Sequence, residues 1–139
     1  MKIVLKDGNN LVVALESGED FSKELKGFLV SEKIHSAYFT SIGAASYVQL
    51  GFYSLELKNY ELKEYNGQFE IMNLTGNVAT LNGELVLHVH GTFGREDFSA
   101  FGGHVFGIKV KPSLEIHLTV LEGGLVRELD ESTGLKLLK

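Results

Sequence analysis

The chain has 139 residues, of which 44% are hydrophobic and 22% are charged, and its formal net charge is -5. This length and composition fit a single globular domain over residues 1–139 and exclude disordered, collagen-like and disulfide-rich proteins. Because the chain has no cysteine, disulfides, thiolate metal ligands and a cysteine nucleophile are excluded. The acidic balance disfavours a nucleic-acid binder. No apolar run approaches the roughly 20 residues of a membrane span, so no membrane partner and a cytoplasmic location are expected.

The first third of the chain predicts a hairpin followed by a helix. Two short apolar runs, 3–5 and 11–15, flank an Asp-Gly step, which is a strong hairpin signal. A helix is predicted over about residues 20–33, with Ser17 or Asp20 as its cap, because the apolar side chains that follow recur at intervals of three and four.

From Ser36 onward the pattern predicts short β-strands. We expect a small-residue turn at 43–46 between the first two, glycine-containing steps between the next ones, and Pro112 between the last two long ones. The predicted strands are 37–42, 47–53, 60–65, 69–74, 77–81, 84–90, 104–111 and 114–121, followed by short segments at 125–129 and 135–138. One helix with so many closely connected strands predicts an α+β fold with a mostly antiparallel sheet. Such a sheet must either curl on itself or be covered by another subunit.

The run Leu-His-Val-His at 87–90 is the most informative motif. Strand side chains alternate between faces, so His88 and His90 fall on the same face, where two imidazoles can converge on one metal ion. A pair of this kind also occurs in strands without any metal. The third ligand is expected from His104, which follows two glycines that let the backbone approach closely. These three histidines form a candidate set that leaves one metal position open.

Other polar residues have weaker claims to a role. Glu115 and His117 share a face of the last long strand, and Glu115 is a candidate to orient an imidazole or to act as a general base, although a structural or surface role for both is the simpler interpretation. Arg95 lies in the glycine-rich and aromatic segment between the histidine strands, where it could hold an anionic ligand or be a solvated loop residue. His35 has no partner in the sequence pattern and is interpreted as structural. No phosphate-binding glycine motif and no nucleophilic serine motif is present.

Five segments, taken in order, resemble the PPC domain family, the plant and prokaryote conserved domain also called PCC or DUF296. They are the small-residue segment 41–46, the Gly-Gln-Phe-Glu-Ile-Met segment 67–72, the Leu-Thr-Gly-Asn-Val-Ala segment 74–79, the His-x-His strand 87–90, and the Gly-Gly-His segment 102–104 with Ser-Leu-Glu-Ile at 113–116. The resemblance extends over about residues 5–122. Gln68 stands where plant members have Arg, and Ser113 replaces the usual Thr.

The resemblance implies a stand-alone α+β domain that assembles as a homotrimer, with sheets packed between subunits. Several stand-alone members of the family resemble zinc binders through histidines that match His88, His90 and His104. Prokaryotic members are often labelled DNA-binding, and plant members carry AT-hook segments that enter the minor groove. The Arg-Gly-Arg-Pro core of such a segment is missing from this sequence, so the arginine insertion has no residue to perform it.

The sequence therefore predicts a homotrimer that binds a divalent metal ion, with zinc as the first choice, through His88, His90 and His104. Water or a small anionic ligand is expected in the open position. Metal-assisted hydrolysis of a small substrate, with Glu115 as base, is an alternative that the sequence does not favour. A DNA-binding or transcription-associated module is the competing function, and an interaction scaffold that displays residues 67–72 is a third. DNA binding would need a basic face built by trimerisation from Lys2, Lys6, Lys109 and Lys111.

Overall fold

A computed structural model describes residues 1–139 and contains one helix and eight strands. In chain order these are β1 (Lys2–Asp7), β2 (Asn10–Glu16), α1 (Phe21–Ser31), β3 (Ala37–Ser54), β4 (Asn59–Leu81), β5 (Glu84–Gly94), β6 (Ala100–Val120), β7 (Arg127–Asp130) and β8 (Leu135–Leu138). The predicted mostly antiparallel sheet with a single helix is confirmed.

The opening hairpin and the helix form where the sequence predicts them. β1 and β2 pair antiparallel. Asp20 is the cap of α1, since its side chain accepts a hydrogen bond of 3.0 Å from the backbone nitrogen of Lys23. The buried face of α1 consists of Phe21, Leu25 and Leu29, which join the core. No helix of the protein has the length and apolar character that crossing a membrane requires.

The predicted turn at 43–46 is wrong, because β3 runs through it without a break. A Cβ on Gly43 would lie 2.4 Å from the carbonyl oxygen of Ser113 and 2.8 Å from the Cα of Leu114. Small residues are therefore needed where the β3 and β6 backbones approach each other. The pairing register also shifts on both sides of Gly43, so glycine here marks a bulge and a close contact, not a turn.

Three further strand divisions expected after the helix are also wrong, whereas those between β3 and β4, β4 and β5, β5 and β6, and β6 and β7 are confirmed. The segments 60–65, 69–74 and 77–81 form one strand, β4, and the two segments on either side of Pro112 form one strand, β6. Gly67, with φ of 137°, lies at the register break between Asn66 and Phe69, where the strand bends without ending. Glycine and proline thus interrupt the pairing register locally, and the long strands continue past them.

The long strands allow the sheet to close on itself. The order in the main sheet is β1-β2-β6-β3-β4-β5, and β5 also pairs with the first part of β6. Pairings β6–β3, β3–β4, β4–β5 and β5–β6 therefore form a ring of four strands, and its buried side chains join those of β2 and α1 in one 24-residue core. The sheet curls on itself, which is one of the two arrangements expected from the sequence. Closure places the start of β6 directly beside the second half of β5.

Candidate metal centre

Closure of the strand ring brings the three candidate histidines together. His88 and His90 lie on β5, with Val89, which points away from them, buried in the core. His104 lies near the start of β6 and is the register partner of His90. The predicted set is thus assembled from two neighbouring strands that pair antiparallel.

Three imidazole nitrogens, one from each of these histidines, lie within 4.8 Å of one another. The Nε2 atoms of His88 and His90 are 3.3 Å apart. Zinc-nitrogen bonds of about 2.0–2.1 Å in a tetrahedron place two ligand nitrogens about 3.3–3.4 Å apart, so this pair already has the spacing of two ligands. The rings of His88 and His104 are stacked, with centroids 5.2 Å apart. The donor set fits a divalent metal ion of the zinc type.

Glycines make this approach of β5 and β6 possible. A Cβ on Gly102 would lie 2.5 Å from the carbonyl oxygen of Gly91, and these residues flank the paired histidines on facing strands. A Cβ on Gly76 of β4 would lie 2.6 Å from the carbonyl oxygen of His88. The first of these contacts explains why Gly-Gly-His is informative in the sequence, because a larger residue at 102 would push the histidine strands apart.

Two imidazoles of the cluster have a lowered pKa. Burial above all, together with the nearby His88, His90 and Arg127, lowers the pKa of His104 to about 4. Burial, followed by the positive charge of Arg127, also lowers the pKa of His88 below its ordinary value. Since a metal ion binds only the unprotonated imidazole, low pKa values keep these nitrogens available at neutral pH.

Arg127 of β7 supports the cluster from the side. Its Nη2 donates hydrogen bonds to Oδ1 of Asn77 at 2.8 Å and to Nδ1 of His88 at 3.2 Å, and its Nη1 donates to the carbonyl oxygen of Lys136 at 2.6 Å. The side chain is buried, which lowers the pKa of the guanidinium, and its Nε has no hydrogen-bond partner. Arg127 therefore fixes the ring of His88 and joins the β7–β8 hairpin to the histidine strands.

Tyr60 of β4 contacts the third histidine. Its hydroxyl lies 3.5 Å from Nδ1 of His104, and the two rings pack with centroids 5.0 Å apart. Burial raises the pKa of the Tyr60 hydroxyl, so it stays protonated. Phe106 packs on the same histidine, also at 5.0 Å between centroids. His104 is thus held by aromatic side chains in an orientation that leaves its other ring nitrogen for the cluster.

An open cleft of about 720 Å³ contains all three histidines. Sites for small molecules occupy roughly 300–1,000 Å³, so the cleft has the size of such a site. The aromatic lining residues come from β3, β4 and β6, which belong to the ring of strands, and β7 and β8 supply further lining residues. The histidines are part of the same lining.

The other predicted site residues lie elsewhere. Glu115 is exposed and lines a separate groove with Glu70 and Ser113. It pairs with Ile42 of β3, whereas His104 pairs with Gly51, nine positions further along the same strand, which corresponds to at most about 30 Å of strand. Within one chain the structure does not bring this carboxylate to the histidines.

Arg95 does not line the cleft either. It lies in the tight turn between β5 and β6, and its guanidinium stacks over the ring of Phe101 at 4.0 Å. His35 and His117 are exposed and outside the histidine cluster. The arginine beside the histidines is instead Arg127, the other of only two arginines in the chain. The sequence analysis did not identify it because a side-chain contact between residues 39 positions apart, not a local motif, brings it to His88.

Comparison with known proteins gives the chain a family but no assigned activity. No curated protein matches the sequence. Among solved structures, a "putative DNA-binding protein" of Bacteroides thetaiotaomicron has 30% sequence identity and a TM-score of 0.95, and the match covers 99% of this chain and 96% of that one. A metal-containing protein of Archaeoglobus fulgidus has 31% identity and a TM-score of 0.87, with coverage of 100% and 99%.

A third similar structure is that of a plant- and prokaryote-conserved (PPC) protein of Pyrococcus horikoshii, at 28% identity and a TM-score of 0.88, with 95% of this chain and 92% of that chain covered. The sequence model of the Plants and Prokaryotes Conserved (PCC) domain matches residues 4–122, which include both histidine strands. The chain belongs to the Plants and Prokaryotes Conserved (PCC) domain family.

Proposed function

We propose that this protein binds a divalent metal ion, with zinc as the first choice, through His88, His90 and His104. The observation that carries the proposal is the convergence of three imidazole nitrogens within 4.8 Å on two paired strands. The similar protein of Archaeoglobus fulgidus is described as metal-containing, which supports the same conclusion. Three imidazoles leave a position for water or another ligand, as in catalytic zinc sites and unlike the closed four-ligand structural sites.

When bound, the metal ion would supply Lewis acidity at the end of the cleft. The residues of the chain then have separate roles. His88, His90 and His104 would hold the ion, Arg127 fixes the ring of His88 before the ion binds, and Tyr60 packs against His104. No carboxylate is among the residues that line the cleft, so a reaction that needs a carboxylate as general base would have to draw on a group outside it.

Elemental analysis of protein purified without a His tag tests the metal site. We expect about one equivalent of zinc for each chain and loss of the metal in His88→Ala. His117→Ala is the matched control, because His117 is an exposed strand histidine outside the cluster. Wild-type protein that stays free of metal after incubation with zinc, or equal metal content in the wild type and His88→Ala, would contradict the proposal.

We further propose that the protein assembles as a homotrimer, as the family resemblance implies. Large apolar side chains on the outer face of the ring support it, because a solvated sheet face normally carries polar residues. These exposed side chains include Tyr38 at 47%, Ile42 at 55%, Leu62 at 50% and Met72 at 60%. Sedimentation equilibrium tests the assembly: three times the chain mass of 15.3 kDa is expected, and a monomer or dimer at micromolar concentration would contradict it.

DNA binding is the competing function, supported by the name of the Bacteroides relative. The lysines expected to form a basic face argue against it. Lys2, Lys6 and Lys109 are within 4.0 Å of carboxylates of the same chain, namely Glu16, Glu32 and Asp20, so their charge is largely balanced locally. A shift assay on duplex DNA over a range of salt concentrations decides between the functions, because phosphate contacts weaken steeply as salt rises. Binding that falls steeply with salt would favour the DNA function.

A further inference from the structure

We propose that the cleft beside the histidines binds a small organic carboxylate, an anion whose remaining part (its apolar body) is hydrophobic. We further propose that residues of the β7–β8 hairpin recognise this anion. The inference rests on the proposed metal site, which it extends by naming the class of ligand. It follows from three features of the cleft: the sign of its charges, the apolar character of its walls, and the position of the hairpin outside the family-defining segment.

The charges that line the cleft all have one sign. They are those of Lys58, Arg127 and Lys136, and no aspartate or glutamate lines the cleft. This is unusual for a chain with a net charge of -5, in which acidic residues outnumber basic ones by 18 to 13. A cleft lined by one sign of charge concentrates ligands of the opposite sign. With a divalent ion on neutral imidazoles, the positive charge would increase further, so the cleft favours an anion.

Two of these cationic groups are incompletely paired. The ammonium group of Lys136 has no ion-pair or hydrogen-bond partner, and the Nε of the buried Arg127 has none. The ammonium group of Lys58, in contrast, already donates a hydrogen bond of 3.0 Å to the carbonyl oxygen of Glu131. Lys136 is therefore the cleft-lining cation whose ammonium group no other group of the chain holds, and it is the candidate to meet the carboxylate of a ligand.

The walls of the cleft point to an apolar body on the anion. Eight of the 18 lining residues are hydrophobic. Tyr60 packs edge-on against both Tyr53 and Phe106, with ring centroids 4.9 Å apart in each case, which forms a rigid aromatic wall. The lining also includes Leu135 and Leu137 of β8, and Leu137 is 39% exposed. Exposed apolar side chains inside a cleft gain free energy when a ligand covers them, which free phosphate or acetate would not do.

The hairpin that carries this half of the cleft lies outside the segment that defines the family. The family match ends at residue 122, whereas Arg127, Lys136 and Leu137 belong to β7 and β8. The hairpin is fixed to the ring of strands through Arg127 and through the Tyr53 hydroxyl, which donates a hydrogen bond of 2.6 Å to the carbonyl oxygen of Thr133. The strands thus supply the metal ligands, and the hairpin supplies the groups that select the anion.

Isothermal titration calorimetry on the zinc-loaded protein tests the proposal. The probes are benzoate, phenylacetate and hexanoate as carboxylates with apolar bodies, benzamide as the uncharged counterpart, and acetate and inorganic phosphate as anions without such a body. At least one of the first three is expected to bind about tenfold or more tightly than benzamide, acetate and phosphate. Lys136→Ala should weaken that binding by about threefold or more, and Lys111→Ala, an exposed lysine outside the cleft, should leave it unchanged.

The outcomes separate this inference from the metal proposal. Zinc content is measured on the same samples, so full zinc loading without preference for an apolar carboxylate overturns the anion site and leaves the metal site intact. If the protein takes up no zinc, the metal proposal fails, and the same titration is decisive on the metal-free protein: binding that depends on Lys136 supports the anion site, and its absence overturns it. Equal affinity for phosphate and benzoate contradicts the role of the apolar walls.

Discussion

Arg127 donates a hydrogen bond from Nη2 to Nδ1 of His88 across 3.2 Å. A guanidinium group can only donate, so Nδ1 of His88 accepts, and a neutral His88 must carry its proton on Nε2, the nitrogen that lies 3.3 Å from Nε2 of His90. That nitrogen is also the one placed to bind a metal ion. Metal binding through Nε2 therefore requires the proton of His88 to leave, with a change in its contact to Arg127.

This arrangement predicts the tautomer of His88. In metal-free protein at pH 7, long-range proton-nitrogen correlation spectra should show His88 with its proton on Nε2, because Arg127 occupies Nδ1. Addition of zinc should abolish the signal of the Nε2 proton. The exposed His117, outside the cluster, serves as the reference and should not respond to zinc. A metal-free His88 with its proton on Nδ1 would contradict the assigned contact.

The same arginine should matter for stability. Arg127→Gln removes hydrogen bonds to Asn77, His88 and the carbonyl oxygen of Lys136 from a buried position, and we expect it to lower the free energy of unfolding by about 2 kcal/mol or more. Arg95→Gln is the matched control. It removes mainly a stacking contact on Phe101, for which about 0.5–1 kcal/mol is expected. Urea unfolding of the metal-free proteins measures both, and equal losses would show that the network at Arg127 contributes little.

The lowered histidine pKa values predict how stability depends on pH. Because the pKa of His104 is about 4 in the folded chain and about 6.5 in the unfolded chain, only the unfolded chain binds the proton between these values. The free energy of unfolding of the metal-free protein should therefore rise from pH 4 to 6.5, with a slope from this group below about 1.4 kcal/mol per pH unit. Other groups also titrate in this range, so the difference between wild type and variants carries the test.

In urea titrations at several pH values, His104→Gln should reduce the rise in stability between pH 4.5 and 6.5, because the group responsible is gone. His35→Gln, which alters an exposed histidine outside the cluster, should keep the slope of the wild type. An unchanged slope in His104→Gln would mean that burial does not shift the pKa of this imidazole.

Local sequence patterns were sufficient for the histidine site and for the first elements of the fold. The i, i+2 spacing of His88 and His90 fixes their common face, and the glycines before His104 permit close strand approach, so the grouping of these three histidines could be predicted without a structure. The cap of α1 at Asp20 follows equally from local chemistry. In each case the deciding interaction involves residues close in the chain or a backbone property of the residue itself.

Strand continuity and the surroundings of the site could not be predicted in this way. Glycine is typical of both turns and bulges, so the residue type does not distinguish the two. The neighbouring strand determines which one forms, as the close contact between Gly43 and the backbone of β6 shows. Arg127 reaches His88 from 39 positions away. Its role depends on the closure of the ring and the placement of the hairpin, which no periodicity within a segment encodes.

Two glycine-to-alanine variants distinguish a glycine that is needed for close strand packing from a glycine that only adds backbone freedom. At Gly76 a Cβ would lie 2.6 Å from both the carbonyl oxygen of His88 and the ring of Phe39, so β4 and β5 must move apart, and we expect a loss of about 2 kcal/mol or more together with weaker zinc binding. At Gly27, in the exposed middle of α1, a Cβ meets nothing within 4 Å, so alanine should stabilise the protein by about 0.5–1 kcal/mol. Thermal unfolding and zinc titration of the two variants measure both effects. If Gly76→Ala kept wild-type stability and zinc affinity, the close approach of β4 to the histidine strand would not be needed to shape the site.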